Sequence, residues 1–393
     1  MPKDTADYEK SEEIAIAAGK EALSKVKWLH NRKVDLTKGF FVELHKNDDV
    51  HPNHYSCHCV DGNGTKIMLS AWSGNYRLAP IDGLAMNAND MATIISAFPD
   101  SINLYIACQT EVEEKHMGEI MSGFADGLKR LRIPIAPWDL NIGKIETASL
   151  DEMIGSAVPN KGFDIGVVMT GFIEKNKVPH LDPKPGHIIV GVTSTGLHSN
   201  GYTGARHVLF GPEVEYRKEW KSQYRGRFGF NGKPAILGGK TVLAALQVPT
   251  ALYLVDAHMV SVAFGGRTGD LDIYGVNITG NGLKNFNRAG NGVAFHITDP
   301  LDPLPIHMLL MQESGWTTMQ AYTKQNMGMG FAYIAPTLEA AEELVQVIEM
   351  RGENKAKIVG EVTASKEPGL VTLLHKTFEG PLKKPLRFEG YTK

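Results

Sequence analysis

An acid and a lysine stand five positions apart in a glycine-rich turn, at Asp61 and Lys66. The residues between them are small: Gly62, Asn63, Gly64 and Thr65. Small residues let backbone N–H groups approach an anion, and a nearby carboxylate and lysine suit a phosphate with its cation. An Asp-Gly turn also begins many plain hairpins, so this turn alone leaves both interpretations open.

The preceding stretch "HPNHYSCHCV" has a strand-like composition that ends at the turn. In a strand, Cys57 and Cys59 point to one face and His58 points to the other. Two thiolates could share a zinc ion, but the Cys-x-Cys spacing is not the usual one, and His51 or His54 would have to fold back to join them. The spacing therefore favours a strand over a zinc site, and whether that strand delivers Asp61 and Lys66 to a ligand stays open.

A second group of oxygen-bearing side chains occurs in "PIDGLAMNANDMATII", within an apolar pattern of helical period. It comprises Asp82, Asn87, Asn89 and Asp90. Carboxylate and amide oxygens suit Mg²⁺. The alternative is that these residues only cap turns.

The stretch "GVTSTGLHSNGYTGARHVLF" predicts a strand, a polar loop and then a helix. Hydroxyls and glycine before a helix N-terminus form a ready site for an anion, and here they include Thr195, Ser199, Asn200 and Gly201. Serine and asparagine also cap helices regardless of function. The histidine inside this loop, His198, favours the functional interpretation.

Both helices and strands must position these candidate site residues. Apolar residues at helical spacing predict a helix from about Met117 to Leu131 and another from Leu338 that stops at Gly352. Four short apolar runs, "INLYIAC", "FDIGVVMTGFI", "HIIVGVTS" and "GVAFHIT", predict strands. The class is mixed α/β.

At 393 residues the chain is long enough for about two domains. Three prolines and several charges near residues 183–186 predict a boundary there, between an N-terminal domain (1–183) and a C-terminal domain (184–393). A polar stretch at 211–233 predicts a long excursion within the second domain, and whether it acts as a lid stays open.

Charge and hydropathy exclude several partner classes. The net charge of −3 is spread over both signs, so a nucleic-acid partner is not expected. No run approaches the roughly 18 apolar residues of a membrane span, and no secretion signal is visible at the start. Three cysteines give no disulfide framework. We expect a cytoplasmic protein without a membrane partner.

Taken in order, the motifs resemble those of the phosphoribosylformylglycinamidine cyclo-ligase (aminoimidazole ribonucleotide synthetase) family. "DGNGTK" is similar to its D-G-V-G-T-K, "IDGLAMNANDM" to I-D-x-x-A-M-x-x-N-D-L, and "IETASL" to G-G-E-T-A-E-M. "TSTGLHSNGYTGAR" is similar to S-S-G-x-H-S-N-G-Y-S-x-x-R, "VPTALY" to T-P-T-R-I-Y, "NITGNGLKNFNR" to H-I-T-G-G-G-x-x-x-N-x-x-R, and "QNMGMGF" to F-N-x-G-x-G-M. Several glycine-rich segments depart from the pattern, which puts the substrate and the rate in question more than the fold.

The resemblance implies a two-domain α/β and α+β fold whose N-terminal sheet pairs across a homodimer and whose C-terminal domain has a mixed sheet with helices. It implies an enzyme of purine biosynthesis that uses ATP and Mg²⁺ to cyclise formylglycinamidine ribonucleotide to aminoimidazole ribonucleotide, releasing ADP and phosphate. Two alternatives stay open: another ATP-using enzyme of the superfamily, such as a selenophosphate synthetase or thiamine-monophosphate kinase, or a non-catalytic nucleotide-binding paralogue.

The resemblance also implies roles for individual residues. Lys66, His198, Asp90 and Glu146 would be catalytic, and Asp61, Asp90 and Glu146 would hold Mg²⁺. The residues that would bind ATP or substrate are Gly62, Gly64, Thr65, Asn89, Thr195, Ser199, Asn200 and Gly201. If the chain is an enzyme, Lys66→Ala should lower turnover by orders of magnitude while leaving thermal stability nearly unchanged.

Overall fold

The structure is a computed structural model. It describes residues 14–15, 17–19, 21–26, 34, 39–110, 114–133, 136, 138–151, 153–156, 158, 160–211, 220–280, 282–288, 292–367, 369–374, 376–377, 380–381 and 385–388. Most of the N-terminal segment and residues 212–219 of the predicted excursion therefore lie outside the described residues.

The first sheet has five strands in the order β1-β2-β5-β3-β4. The strands are β1 (Glu43–Lys46), β2 (His54–Gly62), β3 (Phe98–Cys108), β4 (Asn141–Ser149) and β5 (Phe163–Glu174). Neighbouring strands are antiparallel except β3 and β4, which run parallel. One face of this sheet packs against helix α2 (Ala79–Ala92), which in turn packs against α3 (Glu114–Arg130).

The second sheet has seven strands in the order β14-β11-β8-β10-β6-β9-β7. The strands are β6 (Ile188–Thr193), β7 (Tyr274–Asn277), β8 (Val293–Ile297), β9 (Met329–Ala335), β10 (Ala356–Ala364), β11 (Leu370–Leu373) and β14 (Leu386–Phe388). Only β8 and β11 pair in parallel. A separate ribbon joins β12 (Lys376–Thr377) to β13 (Gly380–Pro381).

Further helices cover the second sheet and the space between the sheets. They are α1 (Met68–Ser73), α4 (Tyr202–Phe210), α5 (Val242–Leu246), α6 (Leu254–Ala263), α7 (Pro305–Ser314), α8 (Thr318–Lys324) and α9 (Leu338–Arg351). Short 3₁₀ helices occupy Gly64–Ile67, Lys175–Lys177, Trp220–Gln223, Ala235–Leu237 and Gly282–Arg288. Among the described residues, no helix is both long enough and apolar enough to cross a bilayer.

The elements predicted from apolar periodicity are confirmed. The predicted helices correspond to α3 and α9, and α9 ends at Gly352 in the left-handed conformation that favours glycine. The four predicted strands correspond to β3, β5, β6 and β8. The mixed α/β class is therefore confirmed, whereas pairing of the first sheet across a dimer stays a prediction.

The chain passes from the first sheet to the second between β5 and β6, and the expected boundary at 183/184 lies in that connection. The largest core cluster contains residues of both sheets, including Val167 of β5 and Val192 of β6. The division into two domains stays a prediction, because one continuous core joins the sheets.

Helix α2 is buried on all sides. Every one of its residues except Asp90 is buried, so the helix lies within the core rather than on the surface. This placement leaves the Asp90 carboxyl at the one partly accessible position of α2.

Candidate active site

A short segment between α5 and α6, residues 248–253, connects the functional motifs. We call it the threonine segment. The backbone oxygen of Val248 accepts a 2.6 Å hydrogen bond from Lys66 Nζ, and the oxygen of Pro249 accepts one of 2.6 Å from Thr195 Oγ1. Residues more than 100 positions apart in sequence are thereby joined through this segment.

Thr250 lies at the centre of the threonine segment. Its N–H and its hydroxyl both donate to Asp82 Oδ1, at 2.8 Å and 2.6 Å. The same hydroxyl accepts a 3.1 Å hydrogen bond from the backbone N–H of Ser199. Thr250 therefore ties the buried helix α2 to the loop that precedes α4.

Lys66 is buried, with 4% of its side chain exposed, and pairs with Asp82 at 2.9 Å. Its ammonium group has three donors, and the bonds to Asp82 and Val248 use two of them. Lys66 also lines a small pocket together with Asn63, Ser70 and Gln247. Lys66 can therefore donate one hydrogen bond to a ligand while its charge stays paired.

His198 is buried in the loop before α4 and adopts a left-handed backbone conformation, with φ of 58°. Its Nε2 atom accepts long hydrogen bonds from the N–H groups of Thr195 and Ala251, at 3.3 Å and 3.4 Å. Burial, with the nearby charge of Lys66, lowers the pKa of His198 to about 3. At neutral pH the imidazole is thus uncharged, with its proton on Nδ1.

Asn89 holds the threonine segment from the side of α2. Its Nδ2 donates to the oxygen of Ala251 at 2.8 Å, and its Oδ1 accepts from the N–H of Tyr253 at 2.9 Å. The carboxamide is used inside the protein, where it fixes the segment, and its role toward a ligand stays a prediction.

Asp90 and Asp61 form a carboxylate pair at the end of α2 and of β2. The pKa of Asp90 is raised to about 7, mainly by burial and also by the charge of Asp61, although a 2.8 Å hydrogen bond from Asn277 and the charge of Arg288 oppose that rise. When both carboxyls are ionised, their negative charges repel each other. A divalent cation bound between them would offset this repulsion, so the pair suits such a cation.

Among the described residues, no cluster of three or more histidine, cysteine or acidic side chains could hold a metal. Mg²⁺ commonly takes one or two carboxylates and completes its shell with water and substrate phosphates. The donor set of Asp61 and Asp90 therefore fits Mg²⁺ bound together with a phosphorylated ligand better than a closed structural site.

Relatives of known name share most of this chain. Phosphoribosylformylglycinamidine cyclo-ligase of Methanococcoides burtonii is 30% identical over 308 residues, which cover 78% of this chain and 79% of the relative. Proteins of the same name from Methanococcus maripaludis and Methanosarcina barkeri are each 29% identical, over 80% and 78% of this chain and 80% and 79% of the relatives. The chain belongs to the phosphoribosylformylglycinamidine cyclo-ligase family. No protein-family model matches it.

Solved structures support the fold expected of a cyclo-ligase family member. A chain of the HypE–HypF complex matches with a TM-score of 0.51 and 13% identity, over 93% of this chain and 99% of that one. T. maritima PurL complexed with FGAR gives 0.51 and 12%, over 88% of this chain but only 46% of PurL. AaThiL complexed with AMPPCP and TMP gives 0.51 and 10%, over 85% and 87%. At these identities the likeness concerns the fold alone.

The glycines that the cyclo-ligase resemblance assigned to ligand binding have local structural reasons for being glycine. A Cβ on Gly62 would lie 2.9 Å from the backbone oxygen of Ile165 on the neighbouring strand. Gly64 has a φ of +60°, which opens the 3₁₀ turn carrying Thr65 and Lys66. Their role toward a ligand stays a prediction.

The loop before α4 presents the remaining predicted contacts. Ser199 is buried and its hydroxyl has no hydrogen-bond partner among the described residues, and Gly201 precedes α4 without a side-chain cap. Thr65 Oγ1 lies 3.2 Å from Thr203 Oγ1, so the glycine-rich turn and the start of α4 are in contact. The two motifs with which a cyclo-ligase would bind phosphates are therefore adjacent.

Glu146, the third predicted Mg²⁺ ligand, lies far from Asp61 and Asp90 within one chain. It lies on the edge strand β4, is exposed, and pairs with Lys144. The register aligns Glu146 with Tyr105, Gly166 and Gly62 across the sheet, so three strand spacings, roughly 14 Å, separate it from β2.

Cys57 and Cys59 are buried on the inner face of β2, and burial raises the pKa of both thiols. A neutral thiol is a poor zinc ligand, so the structure favours the interpretation of these residues as core. His58 and Val60 alternate onto the outer, exposed face as the strand pattern predicts.

The sequence motifs assign no role to Thr250 or Asn277, and they indicate Asp82 only as a possible Mg²⁺ ligand or turn cap. Thr250 and Asn277 stand in "VPTALY" and "NITGNG", which had served only to support the family resemblance. Their position in these motifs could have marked them as candidate site residues. Their hydrogen-bond partners, however, are distant in sequence and do not follow from local spacing.

Proposed function

We propose that this protein catalyses the ATP-dependent cyclisation of formylglycinamidine ribonucleotide to aminoimidazole ribonucleotide, with release of ADP and phosphate. The observation that carries the proposal is membership of the cyclo-ligase family over about four fifths of the chain. The convergence of Lys66, Asp82, His198 and Thr250 on one buried network supports it.

The proposed reaction has two steps. The formyl oxygen of the substrate takes the γ-phosphoryl group of ATP, and ADP leaves. The ribosyl-bearing nitrogen then attacks the formyl carbon, the C–O bond breaks, and phosphate departs with the former formyl oxygen. Phosphoryl transfer depends mainly on positioning and charge neutralisation, which buried, fixed groups supply well.

The residues suit distinct parts of this scheme. Lys66 would donate its free hydrogen bond to a phosphate oxygen, while Asp82 holds its ammonium group in place. His198, neutral at working pH, would donate from Nδ1 to developing negative charge rather than transfer a proton as an imidazolium. Asp61 and Asp90 would hold Mg²⁺, which neutralises charge on the phosphates when bound.

Unpartnered groups at the start of α4 support an anion there. The hydroxyl of Ser199 and the uncapped N-terminus at Gly201 can donate to phosphate oxygens, and Thr65, which contacts Thr203, lies beside them. Thr195 and Asn200 flank the same loop. We assign this position to the phosphates of ATP, consistent with its contact to the turn that carries Lys66.

A homodimer would complete the site. The outer face of the first sheet exposes apolar side chains on three neighbouring strands: Val60 (76%), Val168 (38%) and Tyr105 (44%). Val60 and Val168 are directly paired in the register. An apolar patch of this kind suits a second sheet, and only a second subunit could bring Glu146 near Asp61 and Asp90. A cytoplasmic location, expected for purine biosynthesis, stays a prediction.

The deciding experiment measures phosphate release from ATP and Mg²⁺, with and without formylglycinamidine ribonucleotide, and follows aminoimidazole ribonucleotide in the same tube. Equal amounts of phosphate and product, both dependent on the ribonucleotide, are expected. ATP binding without turnover would instead identify a non-catalytic paralogue, and turnover with another acceptor would identify a different ATP-using enzyme of the superfamily.

A further inference from the structure

Partly buried basic side chains converge on one side of α4, near the end of α8. Arg206 and His207 are consecutive, and Arg206 Nη2 lies 2.7 Å from His207 Nε2. A guanidinium can only donate, so His207 Nε2 must be an unprotonated acceptor. Lys324 ends α8 beside them: a Cβ on Gly204 of α4 would lie 3.6 Å from Lys324 Cβ.

The described residues provide no counter-ion for this group. Neither Arg206 nor Lys324 forms an ion pair with any of them. Burial, then Arg206 and then Lys324, lowers the pKa of His207, and no carboxylate contributes in the opposite direction. Cations that share a volume without an anion repel each other, so the position would stabilise a bound anion.

Two buried donors in the same place also have no partner. The Nε of Arg206 and the hydroxyl of Tyr202 make no hydrogen bond with the described residues, and Tyr202 is fully buried. The two residues are four apart on α4 and therefore share a face, and the charge of Arg206 acts on the Tyr202 hydroxyl. Buried donors left unpaired are costly, and an oxyanion would satisfy them.

We propose that Arg206, His207 and Lys324, together with Tyr202, form a site for a phosphate monoester, and that its ligand is the 5′-phosphate of the ribonucleotide. The choice of ligand rests on the proposed function. His207 lies four residues, about 6 Å along α4, from Thr203, which contacts Thr65 in the glycine-rich turn. This second anion site leaves the N-terminus of α4 for the phosphates of ATP.

Lys324 also has a simpler explanation. Lys324 stands in the last turn of α8, where a cation interacts favourably with the helix dipole, and its amine lies 5.8 Å from the ring centroid of Trp316. Those roles concern stability and predict no preference for a phosphorylated ligand. Ligand binding and stability must therefore be measured separately.

The test uses the full chain with Lys324→Gln, Arg206→Gln and the matched surface control Lys366→Gln. Ribose 5-phosphate should raise the melting temperature of wild type and of the control, ribose should not, and both site variants should lose the shift. In turnover, the site variants should raise KM for the ribonucleotide by about tenfold or more while KM for ATP stays the same. Lys324→Arg should restore most of the affinity.

The outcomes separate this inference from the proposed function. Binding of ribose 5-phosphate that depends on Lys324 and Arg206, without any turnover, would reject the cyclo-ligase activity and keep the site. Normal turnover with an unchanged ribonucleotide KM in both site variants would reject the site. A rise in KM for ATP alone would also reject it, because the ligand would then be the nucleotide.

Discussion

Lys66 Nζ lies 2.9 Å from Asp82 Oδ1, and both side chains are almost completely buried, with 4% and 3% exposed. The same carboxylate oxygen accepts two hydrogen bonds from Thr250. A lysine predicted to lie in a phosphate-binding turn is thus part of the core, where its charge is balanced by one acid. This pairing changes what substitution of Lys66 is expected to do.

Lys66→Met should lower turnover by about a hundredfold or more, because a fixed positive charge near the transferred phosphoryl group is lost. It should also lower the free energy of unfolding by about 3–5 kcal/mol, because Asp82 becomes a buried charge without its partner. Steady-state kinetics and urea unfolding measure the two effects. The sequence alone had suggested almost no loss of stability.

The double variant Lys66→Met with Asp82→Leu provides the control. Removing both charges should recover part of the lost stability but none of the turnover. If the single variant is as stable as wild type, Lys66 is not paired with Asp82 in solution.

Asp90 predicts how Mg²⁺ binding depends on pH. Its pKa in the folded protein is about 7, above the ordinary 3.8, so without a cation the free energy of unfolding should fall as pH rises from about 4 to 7. Mg²⁺ must displace the proton, so its affinity should increase as pH rises through 7. Titration calorimetry with Mg²⁺ and an ATP analogue, at pH 6 and pH 8, measures this.

Asp90→Asn should abolish the dependence of Mg²⁺ affinity on pH, and the exposed Asp139→Asn should preserve it. Equal affinity for Mg²⁺ at pH 6 and pH 8 in wild type would show that Asp90 is already ionised in the absence of the cation.

Buried histidines predict acid sensitivity. Burial is the main cause that lowers the pKa of His198 and His307 to about 3 and of His258 to about 4. Each therefore gains a proton on unfolding at pH values between its folded pKa and about 6.5, so its contribution to stability is lost as pH falls through that range. Protonation of Asp90 changes the free energy of unfolding in the opposite direction over the same pH range. The effect of one histidine is therefore measured by comparing wild type with a variant that lacks only that histidine.

His258 is the best choice because its ring lies 4.4 Å from the ring of Phe98 and is not part of the candidate site. His258→Phe keeps an aromatic ring and removes the titration. The melting temperature of the variant should fall less than that of wild type between pH 7 and pH 5. Parallel curves would show that His258 is exposed to solvent in solution.

The outer face of the first sheet predicts the oligomeric state. Val60→Lys should leave the fold intact, because 76% of Val60 is exposed, but should convert a dimer into a monomer and reduce turnover. Sedimentation measures the mass, and the same sample gives the rate. Met350→Lys, at a residue that is 79% exposed on α9, is the matched control. A wild-type monomer with full activity would exclude the dimer.

Most of the elements and the chemical types of the candidate site residues can be read from the sequence. The helices α3 and α9 follow from apolar periodicity and the strands β3, β5, β6 and β8 follow from short apolar runs, because the spacing of apolar residues reflects which side of an element is buried. The loop of His198 and the turn of Lys66 were also recognisable, since their small and polar residues mark where backbone groups can meet a ligand.

Which of these groups lie together depends on contacts between distant parts of the chain. Asp82 meets Thr250 across 168 residues, and Asn89 meets Ala251 across 162, contacts that no local pattern encodes. Glu146 lies three strands from Asp61 because β5 and β3 stand between β2 and β4. The pKa values of His198 and Asp90 likewise depend on burial beneath distant segments, and desolvation is a property of the packed molecule rather than of the neighbouring sequence.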